Sequence, residues 1–125
     1  MHEYVPYVAC DDARAAIRWY CHVFAATCIE FIADGPVHVA HAELLSGEAR
    51  FFVSSVYPEH QLHIAHTLPT TSSAVVVVCG AIADPLERAL ATGATLLRPV
   101  EVHRNAKFRD PFGHVWILSQ MGLQT

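Results

Sequence analysis

Residues 115 to 118, which follow the segment Asp110-Pro111-Phe112-Gly113, are apolar without interruption. A strand with one face in water alternates apolar and polar residues, because successive side chains point to opposite faces. The unbroken run therefore predicts a strand that is covered on both faces. The segment 110–113 has the chemistry of a tight turn, with aspartate first, proline second and glycine fourth. We expect this turn to join two antiparallel strands.

The first half of the chain predicts a strand, a helix and three further strands. A short acidic side chain, Asp11 or Asp12, can cap the helix, because it accepts hydrogen bonds from the free amides of the first turn. Apolar residues then recur at the i, i+3, i+4 and i+7 spacing of one helix face. They are Ile17, Tyr20, Cys21 and Phe24. The predicted strands cover residues 4–10, 27–32, 37–45 and 49–56.

The second half predicts the same order of elements. Asp84 followed by Pro85 has the cap and first-turn chemistry of a helix start. The predicted strands cover residues 73–78, 94–100, 114–120 and a segment near 102–109. We therefore predict one α+β domain, residues 1–125, made of two βαβββ modules at 1–58 and 72–121 that are joined by a loop at 57–72. Two curled mixed sheets with a helix on one face each would surround a cleft.

The composition narrows the classes of partner. Apolar residues make up 53% of the chain and charged residues only 16%, so the surface is short of charge and we expect a homodimer. The net charge is −4, and the eight Lys and Arg residues are not clustered. This pattern excludes nucleic acid and anionic membranes as partners.

Two further features concern the compartment. No apolar run is long enough to span a bilayer, and the first residues lack the pattern of a signal peptide, so we expect a cytoplasmic protein. The four cysteines show no C-x-x-C spacing and are interpreted as reduced core thiols. They are Cys10, Cys21, Cys28 and Cys79.

Four segments, in order along nearly the whole chain, resemble the vicinal oxygen chelate superfamily of glyoxalases, bleomycin resistance proteins and extradiol dioxygenases. They are Asp12 with AIRWYCHVF (16–24), HAELLSGEARFFV (41–53), ALATGATLLRPV (89–100) and RDPFGHVWIL (109–118). The resemblance is greatest to the small glyoxalase-like subgroup, and it implies the two-module fold. Ala25 departs from the family, which usually has a glycine there. A left-handed alanine would cost about 1 kcal/mol.

The resemblance also implies where a metal ion would be bound. Enzymes of the superfamily typically hold one divalent metal with four His or Glu ligands. By alignment of the motifs, those positions fall near Val5, Phe52, Ala74 and Ile117. None of these side chains, and none of their immediate neighbours, is an imidazole or carboxylate. We therefore expect no metal and no cofactor, and the metal chemistry of the family's lyases, epimerases and dioxygenases would be lost.

Other histidines are candidates to replace the lost metal ligands. His60, His63 and His66 have a spacing that zinc can use if the segment is helical, with Glu59 as a fourth ligand, but a solvated loop is the favoured interpretation. His41 and Glu43 share one face of a strand and can form an acid and base pair. A surface pair or an interface hydrogen bond is the favoured interpretation of those two residues.

The candidate ligand-binding residues follow from strand parity and from the resemblance. Tyr7 would either stack on a ligand or belong to the core. Arg109 would either bind an anion or pair with Asp110, and the pairing is favoured. The full candidate set is Tyr7, His41, Phe52, Val76, Arg109 and Ile117.

The function predicted from these residues is metal-free binding of a small hydrophobic or aromatic, antibiotic-like molecule. Two alternatives stay open at this point. One is a glyoxalase-like lyase, epimerase or dioxygenase that uses relocated His and Glu residues. The other is an interaction module whose cavity is packed shut.

Overall fold

A computed structural model describes residues 2–58, 73–100 and 105–120. The chain divides into two compact units, Met1–Ala65 and His66–Thr125. The three histidines at 60, 63 and 66 and most of the predicted loop at 57–72 lie outside the described residues.

The first unit has the predicted order of one helix and four strands. Its elements are β1 (Tyr7–Cys10), α1 (Ala13–Phe24), β2 (Thr27–Asp34), β3 (His38–Ser46) and β4 (Ala49–Ser55). They form a four-stranded sheet in the order β1-β4-β3-β2. The first strand pairs with β4 in parallel, and the other two pairs are antiparallel. This is a mixed sheet, as the sequence predicts.

The ends of α1 follow the local sequence. Asp12 is the N-cap, and its Oδ1 accepts a hydrogen bond from the backbone N–H of Ala15 at 3.0 Å. The helix ends at Ala25, which has φ 52° and ψ 42°. This is the left-handed conformation in which a β-carbon clashes with the following carbonyl group. The first helix therefore ends in the left-handed conformation that usually requires glycine, although the residue there is alanine.

The helix covers one face of its sheet through aromatic contacts. The ring of Phe51 lies edge-on to Tyr20, with centroids 5.4 Å apart, and edge-on to Phe24 at 6.3 Å. Leu44 lies opposite Phe51 in the strand register, and both are buried. Phe51 and its neighbours on the same face therefore form the core of this unit.

The second unit repeats the topology. Its elements are β5 (Val75–Cys79), α2 (Ala83–Ala91), β6 (Thr95–Arg98), β7 (Asn105–Arg109) and β8 (Val115–Gln120). The strand order is β5-β8-β7-β6, again with the first strand parallel to the fourth. Two βαβββ modules with mixed four-stranded sheets confirm the predicted α+β fold class.

The predicted start of α2 was wrong. Asp84 is not the cap; the N-cap is Ile82, which has φ −92° and ψ −15° and makes no side-chain capping bond. The helix begins at Ala83, so Asp84 lies inside the first turn. There its charge complements the positive end of the helix dipole without accepting a capping hydrogen bond.

The turn before β8 is held by a buried carboxylate. The backbone N–H of Gly113 donates to the carbonyl oxygen of Asp110 at 3.1 Å, which closes the turn. Asp110 Oδ1 accepts from the backbone N–H groups of Phe112 and His114 at 2.9 and 3.0 Å. Its Oδ2 accepts from Nε1 of Trp116 at 2.8 Å. The predicted tight turn is confirmed, and Asp110 also fixes the side chain of Trp116 in the strand.

The two faces of β8 are covered to different degrees. Trp116 and Leu118 are fully buried, and they pair with the fully buried Phe108 and Ala106 of β7. On the other face, Val115 is buried but Ile117 is only half-buried. The prediction of a strand covered on both faces is therefore confirmed for one face and holds only in part at Ile117.

The four cysteines are free thiols, of which Cys10 is buried and the others are half-buried. Burial raises the pKa of Cys79; burial and then the proximity of Cys28 raise the pKa of Cys21. Both thiols are therefore poor nucleophiles at neutral pH. Neither described helix has the length and hydropathy needed to cross a membrane.

Candidate functional site

The face of the first sheet that α1 does not cover carries most of the predicted site. Phe51 points toward the helix, so its neighbour Phe52 points to the opposite side. Tyr7 and Glu43 lie opposite Phe52 in the register of the flanking strands, and Glu30 lies opposite Glu43. We call this surface the helix-free face. It includes Tyr7, Glu30, His41, Glu43, Arg50, Phe52 and Ser54.

Phe52 lies at the middle of the helix-free face. The His41 ring packs against it with centroids 4.8 Å apart and planes at 64°. The guanidinium carbon of Arg50 lies over the same ring, 5.6 Å from its centroid, in the geometry of a cation–π contact. Phe52 is thus held between an imidazole and a guanidinium group.

Tyr7 lies beside Phe52 and has a fixed orientation. Its hydroxyl donates to Oγ of Ser54 at 2.8 Å, and Ser54, which is fully buried, donates to the carbonyl oxygen of Ser55 at 2.8 Å. Tyr7 is still 46% exposed. An exposed ring with an anchored hydroxyl is suited to stacking on a planar ligand, because little side-chain entropy remains to be lost.

Arg50 links two carboxylates on this face. Its Nη1 donates to Oε2 of Glu43 at 2.9 Å, and its Nε donates to Oε1 of Glu3 at 2.9 Å. The hydrogen bonds to Glu3, and then to Glu43, raise the pKa of Arg50. Arg50 therefore stays charged and neutralises part of the negative charge near Phe52.

His41 and Glu43 meet a third side chain, Glu30. Nε2 of His41 lies 3.3 Å from Oε1 of Glu30. One ligand-type atom from each of the three residues lies within 4.8 Å of the other two. Their side chains are 27%, 15% and 55% exposed for His41, Glu43 and Glu30. The predicted pair of His41 and Glu43 is thus half-buried and belongs to a group of three, which we call the Glu-His-Glu cluster.

Sequence reasoning missed Glu30, although its strand was predicted. Glu30 and Glu43 belong to different strands, and their register includes an irregularity between Cys28 and Glu30. A bulge shifts the facing of a side chain by one position, which alternation alone does not show. Imidazole and carboxylate groups in this arrangement can exchange protons, bind a cationic group or bind a metal ion.

The predicted residues of the second unit also share one face. Val76 and Lys107 lie opposite Ile117 in the register of the flanking strands. Val76 is 58% exposed. Arg98 Nη2 donates to Oδ1 of Asn105 at 2.8 Å on the neighbouring pair of strands. This face is therefore aliphatic at its centre and basic toward β6.

The predicted pairing of Arg109 with Asp110 was wrong. Arg109 Nη1 instead donates to the carbonyl oxygen of Gly113 at 3.0 Å. The Asp110 carboxylate is occupied by the backbone amides of its own turn and by Trp116. Arg109 therefore stabilises the turn by a hydrogen bond. Its role as an anion ligand stays a prediction.

Comparison with solved structures identifies the architecture. TioX from Micromonospora superimposes with a TM-score of 0.73 at 20% identity, covering 99% of both chains. The fosfomycin resistance protein FosX from Mesorhizobium loti gives 0.70 at 16% identity, covering 94% of this chain and 90% of FosX. A putative 3-demethylubiquinone-9 3-methyltransferase, the PhnB protein from Bacillus cereus, gives 0.73 at 15% identity, covering 95% and 99%. The chain has the vicinal oxygen chelate fold.

No family model matches the chain, and no curated protein matches its sequence. At these identities the likeness concerns the vicinal oxygen chelate fold alone. Phe52 and Ile117 occupy positions where the sequence resemblance implies metal ligands. Phe52 lies opposite the exposed Tyr7 in a parallel strand, and Ile117 lies opposite the exposed Val76 in another. Neither of those pairs offers a group that binds a divalent metal. That both pairs line one cleft stays a prediction.

Proposed function

We propose that this protein binds a small hydrophobic or aromatic molecule and that no metal ion lies between the ligand and the protein. The observation that carries this proposal is the exposed Tyr7 ring beside Phe52. Phe52 is at a position where the sequence resemblance implies a metal ligand. Aromatic rings with a few fixed polar groups are the usual lining of a small-molecule site. Tyr7, Phe52 and the neighbouring His41 and Arg50 have that composition.

The second unit supports the proposal through its aliphatic face. Val76 and Ile117 are in register and are not fully buried. When a ligand covers accessible apolar side chains, their removal from water stabilises the complex by about 25 cal/mol per Å². The ligand is therefore one with a planar or apolar body.

A second candidate function is favoured by one contact, the 3.3 Å pair of His41 and Glu30. An imidazole held by a carboxylate is the arrangement of a general base. In that case the protein is a lyase, epimerase or dioxygenase-like enzyme that uses these relocated residues. Turnover of a bound ligand that is lost in His41→Gln, with ligand binding kept, would establish the enzyme.

Titration with a fluorescent planar dye, 1-anilinonaphthalene-8-sulfonate, tests the binding proposal. We expect saturable binding that is unchanged by EDTA and is weakened about tenfold or more by Phe52→Ala, since one buried aromatic contact is worth about 1.5–3 kcal/mol. Phe31→Ala is the matched control, because Phe31 is an exposed phenylalanine of the same sheet that lies opposite Ala42 on the other face. Binding that disappears with EDTA, or that both variants weaken equally, contradicts the proposal.

We further propose a cytoplasmic homodimer without nucleic-acid or membrane partners. The support for the homodimer is the number of large apolar side chains that are exposed in both units. Those of the sheets include Ile29, Phe31, Ile32, Val76, Val78, Leu96 and Leu97. Light scattering should then give twice the 13.8 kDa chain mass, and a monomer at micromolar concentration contradicts this part of the proposal.

A further inference from the structure

We propose that Glu30, His41 and Glu43 bind a divalent transition-metal ion such as zinc. This goes beyond the binding function and departs from the sequence expectation that the chain holds no metal. The proposed site lies on β2 and β3. The positions that the sequence resemblance implies for a metal are in or beside β1, β4, β5 and β8 instead.

The geometry of the Glu-His-Glu cluster is close to that of a metal site. The three ligand-type atoms lie within 4.8 Å of one another. In a tetrahedral zinc site with bonds of about 2.0–2.2 Å, ligand atoms are roughly 3.4 Å apart. Side-chain rotations that move these atoms by about one ångström are therefore enough to close the site. Three protein ligands leave a fourth position open to solvent or to another ligand.

The strand register holds the three side chains in place. Glu30 and Glu43 are directly opposite each other on adjacent strands, and His41 is two residues from Glu43 on the same face. The contact with Phe52 orients the imidazole ring of His41, and Arg50 holds Glu43 through Oε2. The Arg50 contact uses only one of the two oxygens of Glu43, so the other can coordinate a metal.

The charges favour a cation at this place. Three carboxylates, those of Glu3, Glu30 and Glu43, are in contact with a single guanidinium group and a histidine. The carboxylates of Glu30 and Glu43 have oxygen atoms within 4.8 Å of each other, so their negative charges repel, and a divalent ion bound between them removes that repulsion. The mixed imidazole and carboxylate ligands suit zinc and other first-row transition metals better than magnesium.

The second sheet provides an internal contrast. Arg98 lies opposite Lys107 just as Glu30 lies opposite Glu43, and Asn105 precedes Lys107 by two residues just as His41 precedes Glu43. These three residues carry positive or neutral groups, and Nη2 of Arg98 donates a hydrogen bond to Oδ1 of Asn105. Among the described residues, the second sheet therefore has no equivalent of the proposed metal site.

Calorimetric titration of zinc chloride into the metal-stripped, tag-free full chain tests the proposal. His60, His63 and His66 have a spacing that zinc can use, so the titration is done on wild type and on a His60→Ala, His63→Ala, His66→Ala background. We expect one zinc ion per chain in that background. His41→Gln or Glu30→Gln should weaken the zinc affinity at least about 100-fold, because loss of a residue that only supports a ligand lowers metal affinity by up to about 100-fold. The exposed side chain of Glu30 makes its variant a conservative one for folding.

Matched controls are His38→Gln on the same strand and Glu48→Gln in the following turn, both exposed, and neither should change zinc affinity. Zinc should raise the melting temperature of the background protein and leave that of His41→Gln unchanged. No zinc binding in the background protein, or equal binding in His41→Gln and Glu30→Gln, would overturn the proposal. Dye binding in EDTA is measured separately, so the two proposals fail independently.

Discussion

The two sheets share their topology, and they differ in the chemistry of equivalent positions. In each sheet the first strand pairs in parallel with the fourth, and the third strand pairs with the fourth on its other side. Tyr7 lies opposite Phe52 in the parallel strand pair of one sheet, and Val76 lies opposite Ile117 in that of the other. This pair of residues is therefore aromatic in the first unit and aliphatic in the second.

The charges beside these pairs are reversed. Glu43 lies opposite Phe52, and Lys107 lies opposite Ile117. On the next strand the partner is Glu30 in the first sheet and Arg98 in the second. The difference teaches that the strand register fixes which positions meet, and that the side chains at those positions decide what each surface can bind.

The largest expected effect tests the burial of the two faces in the second sheet. Leu118→Ala removes a fully buried side chain and should cost about 2–5 kcal/mol of unfolding free energy. Ile117→Ala, one residue away on the half-buried face, should cost about 1 kcal/mol, because less apolar area is removed from contact. Urea denaturation measures both. Equal losses would show that the Ile117 face is packed core and cannot bind a ligand.

A smaller effect compares the ends of the two helices. Gly93 has φ 104°, and an added β-carbon would lie 3.4 Å from Cγ of Pro111, so Gly93→Ala should cost at least about 1–2 kcal/mol. Ala25 already has a positive φ, so Ala25→Gly removes the strain of a β-carbon in this conformation. Glycine also has more conformational entropy in the unfolded chain, which opposes this gain, so the net stabilisation should be less than about 1 kcal/mol. Thermal melts of the two variants should shift in opposite directions; destabilisation by Ala25→Gly would show that Ala25 is not strained.

The smallest effect compares the starts of the helices. Asp12→Ala removes a side chain that caps α1 and should cost about 1 kcal/mol. Asp84→Ala removes only a favourable charge in the first turn of α2 and should cost about 0.3–0.5 kcal/mol. High salt should reduce the cost of Asp84→Ala more than the cost of Asp12→Ala, because salt screens the charge–dipole interaction. Equal costs in urea titrations would argue that Asp84 also accepts a capping bond in solution.

The parts of the fold that sequence reasoning predicted are those encoded by local chemistry. Asp12 caps a helix, and the turn at 110–113 joins two strands, because each depends on residues within a few positions. The start of α2 was placed wrongly because an uncapped start with Ile82 has no sequence signal.

The candidate site was predicted only in part. Tyr7, His41 and Phe52 share a face because alternation places them there, and alternation is visible in the sequence. Glu30 was missed because its facing depends on a bulge that the sequence does not show. Arg109 was assigned to the nearest acid, but the backbone amides of the turn already occupy that carboxylate.

The parallel pairing of first and fourth strands also determines how each sheet assembles in time. Tyr7 meets Phe52 only after the helix and two intervening strands have been placed, whereas Ser46 and Ala49 are joined by a short turn. Pairs that are distant along the chain form slowly, because closing a long loop loses entropy before any contact forms. During refolding, pulse-labelling hydrogen exchange should protect the amides of β3 and β4 before those of β1. On the ribosome, the first strand must stay unpaired until the fourth has emerged.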